Sequence, residues 1–311
     1  MEIGNSMRQV IDWTPASPDL VLAGDNLPLM RALPRESFTV AYCDPPFNTG
    51  RARQYERVRG TRIEPKADPD AAGANAGESP EAEEGGRLGF RGLSYEVVRE
   101  RTLRFDDRFV EYWEFLEPRL AETWRLLAPD GTLYLHLDYR EAHYAKVLLD
   151  GLFGRDCFIN EIIWAYDFGA RTKRRWPTKH DTILMYVKDP DRYYFDAEAV
   201  DREPYMAPGL VTAEKAAKGK LPTDTWWHTI VSPTGKERVG YPTQKPVGVV
   251  RRMIQASSRP GDWIIDPFAG SGTAGAAAAE LKRKFVLMDD NPESIAVMAQ
   301  RLASTGAVVG L

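Results

Sequence analysis

The 311-residue chain predicts an α/β protein built on a seven-stranded, mostly parallel sheet flanked by helices. Three observations carry that expectation. Apolar runs of strand length alternate with helix-period segments along most of the chain. Two of those runs, "FTVAYC" and "DWIID", lead into Asp-Pro turns that carry further chemistry-bearing residues. Near the C-terminus a strand, a glycine-rich turn, an Ala-rich helix and a second strand ending in an acid succeed one another without interruption.

"DLVLAG" (19–24) and "FTVAYC" (38–43) read as buried strands around a short helix, "NLPLMRAL". Residues 111–128 carry apolar groups at helical spacing, with a kink or restart expected at Pro118. "APDG" ends that helix and "TLYLHLD" (132–138) is the next strand. A helix over 140–152 comes next, then strands near 158–165 and 182–188. The closing unit comprises helix 246–258, strand 262–266, helix 273–282, strand 284–289 and helix 292–303.

Two stretches interrupt the alternation. Segment 64–92, "EPKADPDAAGANAGESPEAEEGGRLGFRG", is nearly free of large apolar groups and cannot offset its own ordering entropy. It predicts disorder, inside a loop insertion spanning 51–105. Residues 190–240 are irregular and rich in aromatic and basic groups, which predicts a small separate module on a catalytic domain that otherwise occupies 1–311.

Bulk properties exclude several classes. No apolar run is long enough to span a bilayer, and "MEIGNSMRQVIDW" lacks the pattern of a signal peptide. Two cysteines, Cys43 and Cys157, build neither a disulfide framework nor a four-ligand zinc site, and the four histidines lack metal spacing. The expectation is a cytoplasmic protein with no metal. The net charge of −4 comes from segment 64–92, which holds seven acids and three bases; acids and bases elsewhere are equal in number. Net charge therefore does not argue against a polyanionic partner.

"DPFAGSGTAGAAAAEL" places Gly270, Gly272 and Gly275 in a G-x-G-x-x-G pattern, with Asp289 ending the next strand. Such glycines let a ligand approach the backbone, the helix start offers N–H donors, and the acid can accept ribose hydroxyls. NAD and S-adenosylmethionine both fit. Two features favour the latter. Asp266-Pro267-Phe268 adds bulk that would crowd a pyrophosphate, and the chain stops about one helix after the acid instead of adding the βα units of a dinucleotide fold.

"CDPPFNTG" (43–50) asks for a different chemistry. The exocyclic amino group of adenine or cytosine is a poor nucleophile because its lone pair is delocalised into the ring. Acceptors for both of its N–H groups localise that pair. Asp44 and the carbonyl of Pro45 are such acceptors, Pro45 and Pro46 fix the backbone, and Phe47 can stack on an extruded base.

With these residues in place the chain resembles the amino-group DNA methyltransferases of restriction–modification type. Their catalytic motif is D/N/S-P-P-Y/F and their cofactor motif resembles "DPFAGSGT". The order, catalytic motif first, resembles the circularly permuted β group. "LAGDNL", "LLAPDGTLYLHLD", "EIIWAYDFG", "KHDTILMYVK" and "YPTQKPVGVVRRMI" extend the likeness over nearly the whole chain except 51–105 and most of 190–235.

The resemblance implies a Rossmann-like methyltransferase fold, S-adenosylmethionine as cofactor, double-stranded DNA as substrate and a target-recognition role for 190–240. It assigns the target-base site to Asp44, Pro45, Pro46 and Phe47, and the cofactor to Asp25, Lys245, Asp266, Phe268, Ala269, Gly270, Ser271, Gly272, Thr273 and Asp289. Asp25 is expected near the adenine, Lys245 near the methionine end and Asp289 on the ribose, with Asp290 the other acid in reach. Leu287 stands where the family often has Gly, and Phe47 replaces the commoner Tyr. Asp in the first motif position resembles the adenine-N6 enzymes, whereas cytosine-N4 enzymes more often carry Ser. The reading is methyl transfer to adenine N6, and a cytosine-N4 DNA methyltransferase, an RNA amino-methyltransferase and a catalytically dead DNA-binding subunit stay open as alternatives. The resemblance leaves open a cognate restriction endonuclease and a homodimer as partners, β-group relatives being often dimers. The run Arg171, Lys173, Arg174, Arg175 and Lys179 reads as a solvated loop or as a phosphate-contacting one.

Overall fold

The computed structural model describes residues 13–47, 112–169, 171–232 and 234–310 in full, and the backbone of 51–62, 86–88 and 94–107. The chain divides into two units, Met1–Asn48 with Phe109–Leu311, and Thr49–Arg108.

Within the larger unit β1 (Leu20–Ala23), α1 (Asn26–Ala32) and β2 (Phe38–Cys43) come first. The smaller unit holds β3 (Arg51–Arg62), β4 (Gly86–Leu88) and β5 (Ser94–Asp107). Then come α2 (Tyr112–Leu126), β6 (Leu127–Leu137), α3 (Ala142–Phe153), β7 (Phe158–Ala165) and β8 (His180–Val187). Next are α4 (Ala213–Lys218), β9 (Thr225–Trp227), α5 (Val247–Ser257) and β10 (Trp263–Asp266). Last come α6 (Thr273–Glu280), β11 (Lys284–Asp289), α7 (Pro292–Arg301) and β12 (Val308–Val309).

The larger unit is one sheet in the order β12-β1-β11-β10-β2-β6-β8-β7-β9. Its strands are parallel except β8, which runs antiparallel to both neighbours. Seven strands match the expectation, and two short edge strands, β9 and β12, are added to them. One face packs on α1, α2 and α3 through Leu29, Leu116, Leu120 and Leu149. The other packs on α5, α6 and α7 through Val250, Ile254, Ala277 and Met298. Burial on both faces explains why β2 reads as an unbroken apolar run instead of an alternating one.

Chain direction reverses at the centre. From β10 the chain crosses through α6 to β11 on one side, and from β2 it reaches β6 on the other. β10 and β2 are paired neighbours, with Ile264 opposite Val40 and Ile265 opposite Ala41. The loops after them leave the same sheet edge at the switch point, where open α/β sheets form a crevice.

Two expectations need correction. The helix does not restart at Pro118: α2 is one element with the proline inside it. Proline removes one hydrogen bond, but the buried Leu116 and Leu120 hold the helix on the sheet, and the guanidinium of Arg119 donates to the Phe115 carbonyl at 2.8 Å. The flanks of the 51–105 insertion are not loop: β3 and β5 pair antiparallel, with β4 on the other side of β5. Both arms carry recurring β-branched and aromatic residues, and pairing satisfies backbone groups that a loop would leave to water. The segment expected to be disordered lies outside the described residues except for 86–88.

Candidate active site

The loop after β10 owes its shape to its glycines. Gly270 and Gly272 have φ of +51° and +72°, the left-handed region where a Cβ is strained. A Cβ on Gly272 would also stand 2.8 Å from Met298. Gly275 has a different reason: a Cβ there would meet Leu287 at 2.7 Å, so the Leu that replaces the family's usual Gly is accommodated by a bare α-carbon opposite it. The Gly270 N–H donates to Asp289 Oδ2 at 2.8 Å and the Asn291 N–H to Oδ1 at 2.9 Å, drawing the loop over the end of β11. Burial, the largest influence, pushes the Asp289 carboxyl up, against these backbone hydrogen bonds. Asp289 is half-buried and Asp290 exposed.

Asp266, at the base of this loop, is only 2% exposed, and its carboxylate accepts the N–H of Phe268 at 3.0 Å, capping its own turn. Burial first, then the charges of Asp44 and Asp289, push this carboxyl well above the usual range, against the Phe268 hydrogen bond and Lys245. Asp25 N-caps α1, accepting Leu27 N–H at 3.0 Å, and pairs with Arg119 at 2.7 Å. Arg119 also donates to Asn26, whose side-chain amide donates to the Pro267 carbonyl at 2.6 Å. α1 is thereby tied to the glycine loop. Arg301 donates to the Ser271 carbonyl and to Thr273 Oγ1, both at 3.0 Å, bracing the loop from α7. Tyr241 is buried against Gly270 and accepts from Ser294.

Asp44 emerges from β2 beside this loop. Lys245 Nζ lies 2.6 and 2.5 Å from its two oxygens and 4.6 Å from the centre of the Phe47 ring. The carbonyl of Lys245 accepts from Thr273 Oγ1 at 3.1 Å. One residue thus bridges the two loops, where the resemblance had Lys245 near the methionine end of the cofactor.

Behind Asp44 sits a buried polar cluster. His136, 0% exposed, has Nδ1 2.8 Å from the Tyr42 hydroxyl and Nε2 3.2 Å from Asp181 Oδ2. Tyr166 donates to the other Asp181 oxygen at 3.0 Å. His136 Nδ1 is 4.0 Å from Asp44 Oδ1, and its ring packs against Phe47 and Trp164. Burial raises the Asp181 carboxyl, but the hydrogen bond and charge of His136, with Lys245 and Tyr166, outweigh it and leave the group below its ordinary value.

The basic run lies on the loop between β7 and β8. Arg171, Lys173, Arg174 and Arg175 are exposed. Lys179 is half-buried and anchored on Asp167 and the Gly169 carbonyl. Sequence reasoning passed over Trp176, which stands 93% exposed among them, and over His136, Asp181, Arg119 and Arg301. A lone aromatic inside a charge run, and a histidine inside an apolar strand, were the available signals. Trp226 is buried in the edge strand β9 and Trp227 is exposed, so of the aromatic pair only Trp226 is core.

A doubly wound parallel sheet with a glycine loop and an Asp-Pro-Pro-Phe loop side by side at its switch point defines a Rossmann-like enzyme class that handles a nucleoside-bearing ligand. Residues 38–300 match the N6/N4 DNA methylase family, and the chain belongs to it. The type II methyltransferase M.HpaI of Haemophilus parainfluenzae is 34% identical over 63% of this chain and 61% of its own length, so that match leaves over a third of the relative uncovered. The DNA adenine methyltransferase YhdJ of Escherichia coli is 28% identical over 91% of this chain and 82% of its own. Among solved structures, the cytosine-N4-specific PvuII DNA methyltransferase superposes with a TM-score of 0.60 at 16% identity, covering 92% of this chain and 86% of that one. The M1.HpyAVI–SAM complex gives 0.54 at 17%, covering 91% and 98%. These likenesses support the fold. Among the described residues no helix is long and apolar enough to cross a membrane, and no acid, His or Cys cluster could hold a metal ion.

Proposed function

We propose that this DNA methylase transfers a methyl group from S-adenosylmethionine to adenine N6 in duplex DNA, acting on a base turned out of the helix. The observation that carries the reading is the join between loops: Asp44 held by Lys245, and Lys245 held by Thr273 of the glycine loop. The target-base and cofactor sites are thereby kept within one side chain's reach.

The cofactor fits the site. Gly270 and Gly272 leave the loop backbone bare, α6 begins without a side-chain cap on its first N–H groups, and Asp289 and Asp290 stand at the end of β11. The loop from Phe268 to Thr273 would hold the methionine part, Asp289 or Asp290 the ribose, and Asp25 would lie on the adenine side. When bound, S-adenosylmethionine supplies an electrophilic methyl on a sulfonium.

The chain's own residues supply the rest. An ionised carboxylate has about four acceptor positions. Lys245 uses two on Asp44, leaving positions for an amino N–H. The Pro45 carbonyl takes the second N–H, Pro45 and Pro46 hold it in place, and Phe47 stacks on the ring. Localising the nitrogen lone pair in a preorganised site lowers the barrier without a covalent intermediate. The exposed Arg171, Lys173, Arg174 and Arg175 would contact phosphates, with Trp176 among them.

Adenine is favoured over cytosine by Asp44 in the first motif position and by the breadth of the match to the Escherichia coli adenine enzyme. Mass spectrometry of nucleosides from DNA treated with the protein tests this. N6-methyladenine is expected; N4-methylcytosine in its place would overturn the base assignment.

A further inference from the structure

Transfer to an amino nitrogen leaves one proton too many. Nitrogen's lone pair forms the new bond to carbon, and sulfur keeps the pair of the bond that breaks. The nitrogen, now cationic, must shed a proton and recover the N–H electron pair. Asp44, hydrogen-bonded to that N–H, is the nearest acceptor. While the product base covers the site, a proton left on Asp44 can return to the methylated nitrogen, and the Lys245 ammonium beside it has no lone pair to take it.

We propose that the buried His136–Asp181 pair accepts this proton from Asp44 and holds it until the product base leaves. Four observations point there. His136 Nδ1 is the nitrogen facing Asp44, at 4.0 Å. Nε2 faces Asp181 at 3.2 Å, so the neutral ring keeps its proton on Nε2 and presents Nδ1 as the acceptor. The partner of Nδ1 is a hydroxyl, Tyr42 at 2.8 Å, which can donate to the neutral ring or accept from the charged one. Asp181, itself held by Tyr166, is ionised and balances the imidazolium. Both ring nitrogens of His136 therefore keep a partner in either protonation state, and the transfer itself needs the 4.0 Å gap to Asp44 to close to hydrogen-bond distance.

The titratable groups facing the ring are Tyr42 and Asp44 from β2 and its loop, Asp181 from β8 and Tyr166 just past β7. Lys245 lies beyond Asp44. Burial, chiefly, with the charges of Asp44, Asp266 and Asp181, pushes the Tyr42 hydroxyl well above its ordinary value, so it stays protonated. His136 acts through Asp44 and does not touch the reacting atoms. The proton returns to water through Asp44 once the site opens.

This inference rests on the role proposed for Asp44, and the test separates the two. Single-turnover methylation of plasmid DNA is measured against pH for the full-length wild type and for His136→Asn, Asp181→Asn and Asp44→Asn. The wild-type rate should fall on the acid side as His136 becomes charged beforehand. His136→Asn should be at least about tenfold slower, bind cofactor within about twofold of wild type and lose that acid limb. Asp181→Asn removes the charge that favours the imidazolium, so the limb should move to lower pH. Nitrogen-15 NMR of labelled histidines should show the ring titration moving the same way, independently of turnover. An unchanged limb in His136→Asn would overturn the proposal. So would an Asp181→Asn protein in which neither the limb nor the ring titration moves, which keeps the proposal testable if His136→Asn fails to fold. Wild-type turnover by Asp44→Asn would instead remove the Asp44 reading itself.

Discussion

Two Asp-Pro turns leave adjacent parallel strands at the same sheet edge, yet their acids have opposite surroundings. Asp266, the last residue of β10, is sealed in, bonded to its own turn and pushed toward the neutral form. Asp44, after β2, is partly open, carries both contacts of Lys245 and backs onto His136. The dipeptide is the same, although Asp266 is still the last residue of β10 while Asp44 lies one residue past β2. The difference lies in the next residues of each loop. In the β10 loop the N–H of Phe268, two residues on, folds back onto Asp266, whereas Pro46, at the same place in the β2 loop, has no N–H to fold back. One acid is bonded within its own loop and the other is held by a lysine from elsewhere in the chain.

The largest effect should come from Asp44. Asp44→Ala should reduce methyl transfer to DNA on the order of 10³-fold or more while leaving cofactor affinity nearly intact, read by tritiated-methyl incorporation and calorimetry. If Asp266→Ala proves equal to it in both readouts, the contrast between the two acids fails. Next is the glycine loop. Gly272→Ala combines a left-handed backbone with a contact at Met298 and should cost about 2–4 kcal/mol of stability in urea unfolding.

Asp266 gives a smaller effect with a definite sign. Its folded-state carboxyl lies above the unfolded value, so its contribution to stability is full at low pH and is lost as pH rises through the folded value. Asp266→Asn should flatten that alkaline decline, gaining about 1–3 kcal/mol relative to wild type on the alkaline side. Urea midpoints across the pH range would check it, and a steeper decline in the variant would mean that Asp266 is charged in the fold. The smallest test leaves both turns intact. Lys173→Ala and Arg174→Ala should each reduce the salt dependence of DNA binding by about one unit of log–log slope, with transfer from saturated complexes unchanged.

Much of the fold was legible because its signals are local. Strands β7 and β11 coincide with the apolar runs that announced them, and α6 begins at Thr273 where the glycine turn ends. The two loops were legible for the same reason: Asp44–Phe47 and Asp266–Thr273 are contiguous stretches with strand signals before them. The arms β3 and β5 were missed because their flanking composition is that of disorder. Their pairing joins residues up to 56 positions apart, such as Arg51 and Asp107.

Read alone, the sequence determined the class of sheet, the two motifs and the family to which they are similar, since each depends on neighbours along the chain. Tertiary structure decided which acids do what. It set β10 beside β2, brought Lys245 across 201 residues to Asp44, turned Asp266 inward and placed His136 and Asp181 behind the site. Those outcomes depend on burial and on charges brought together by folding, and neither is a property of a residue's own stretch of chain.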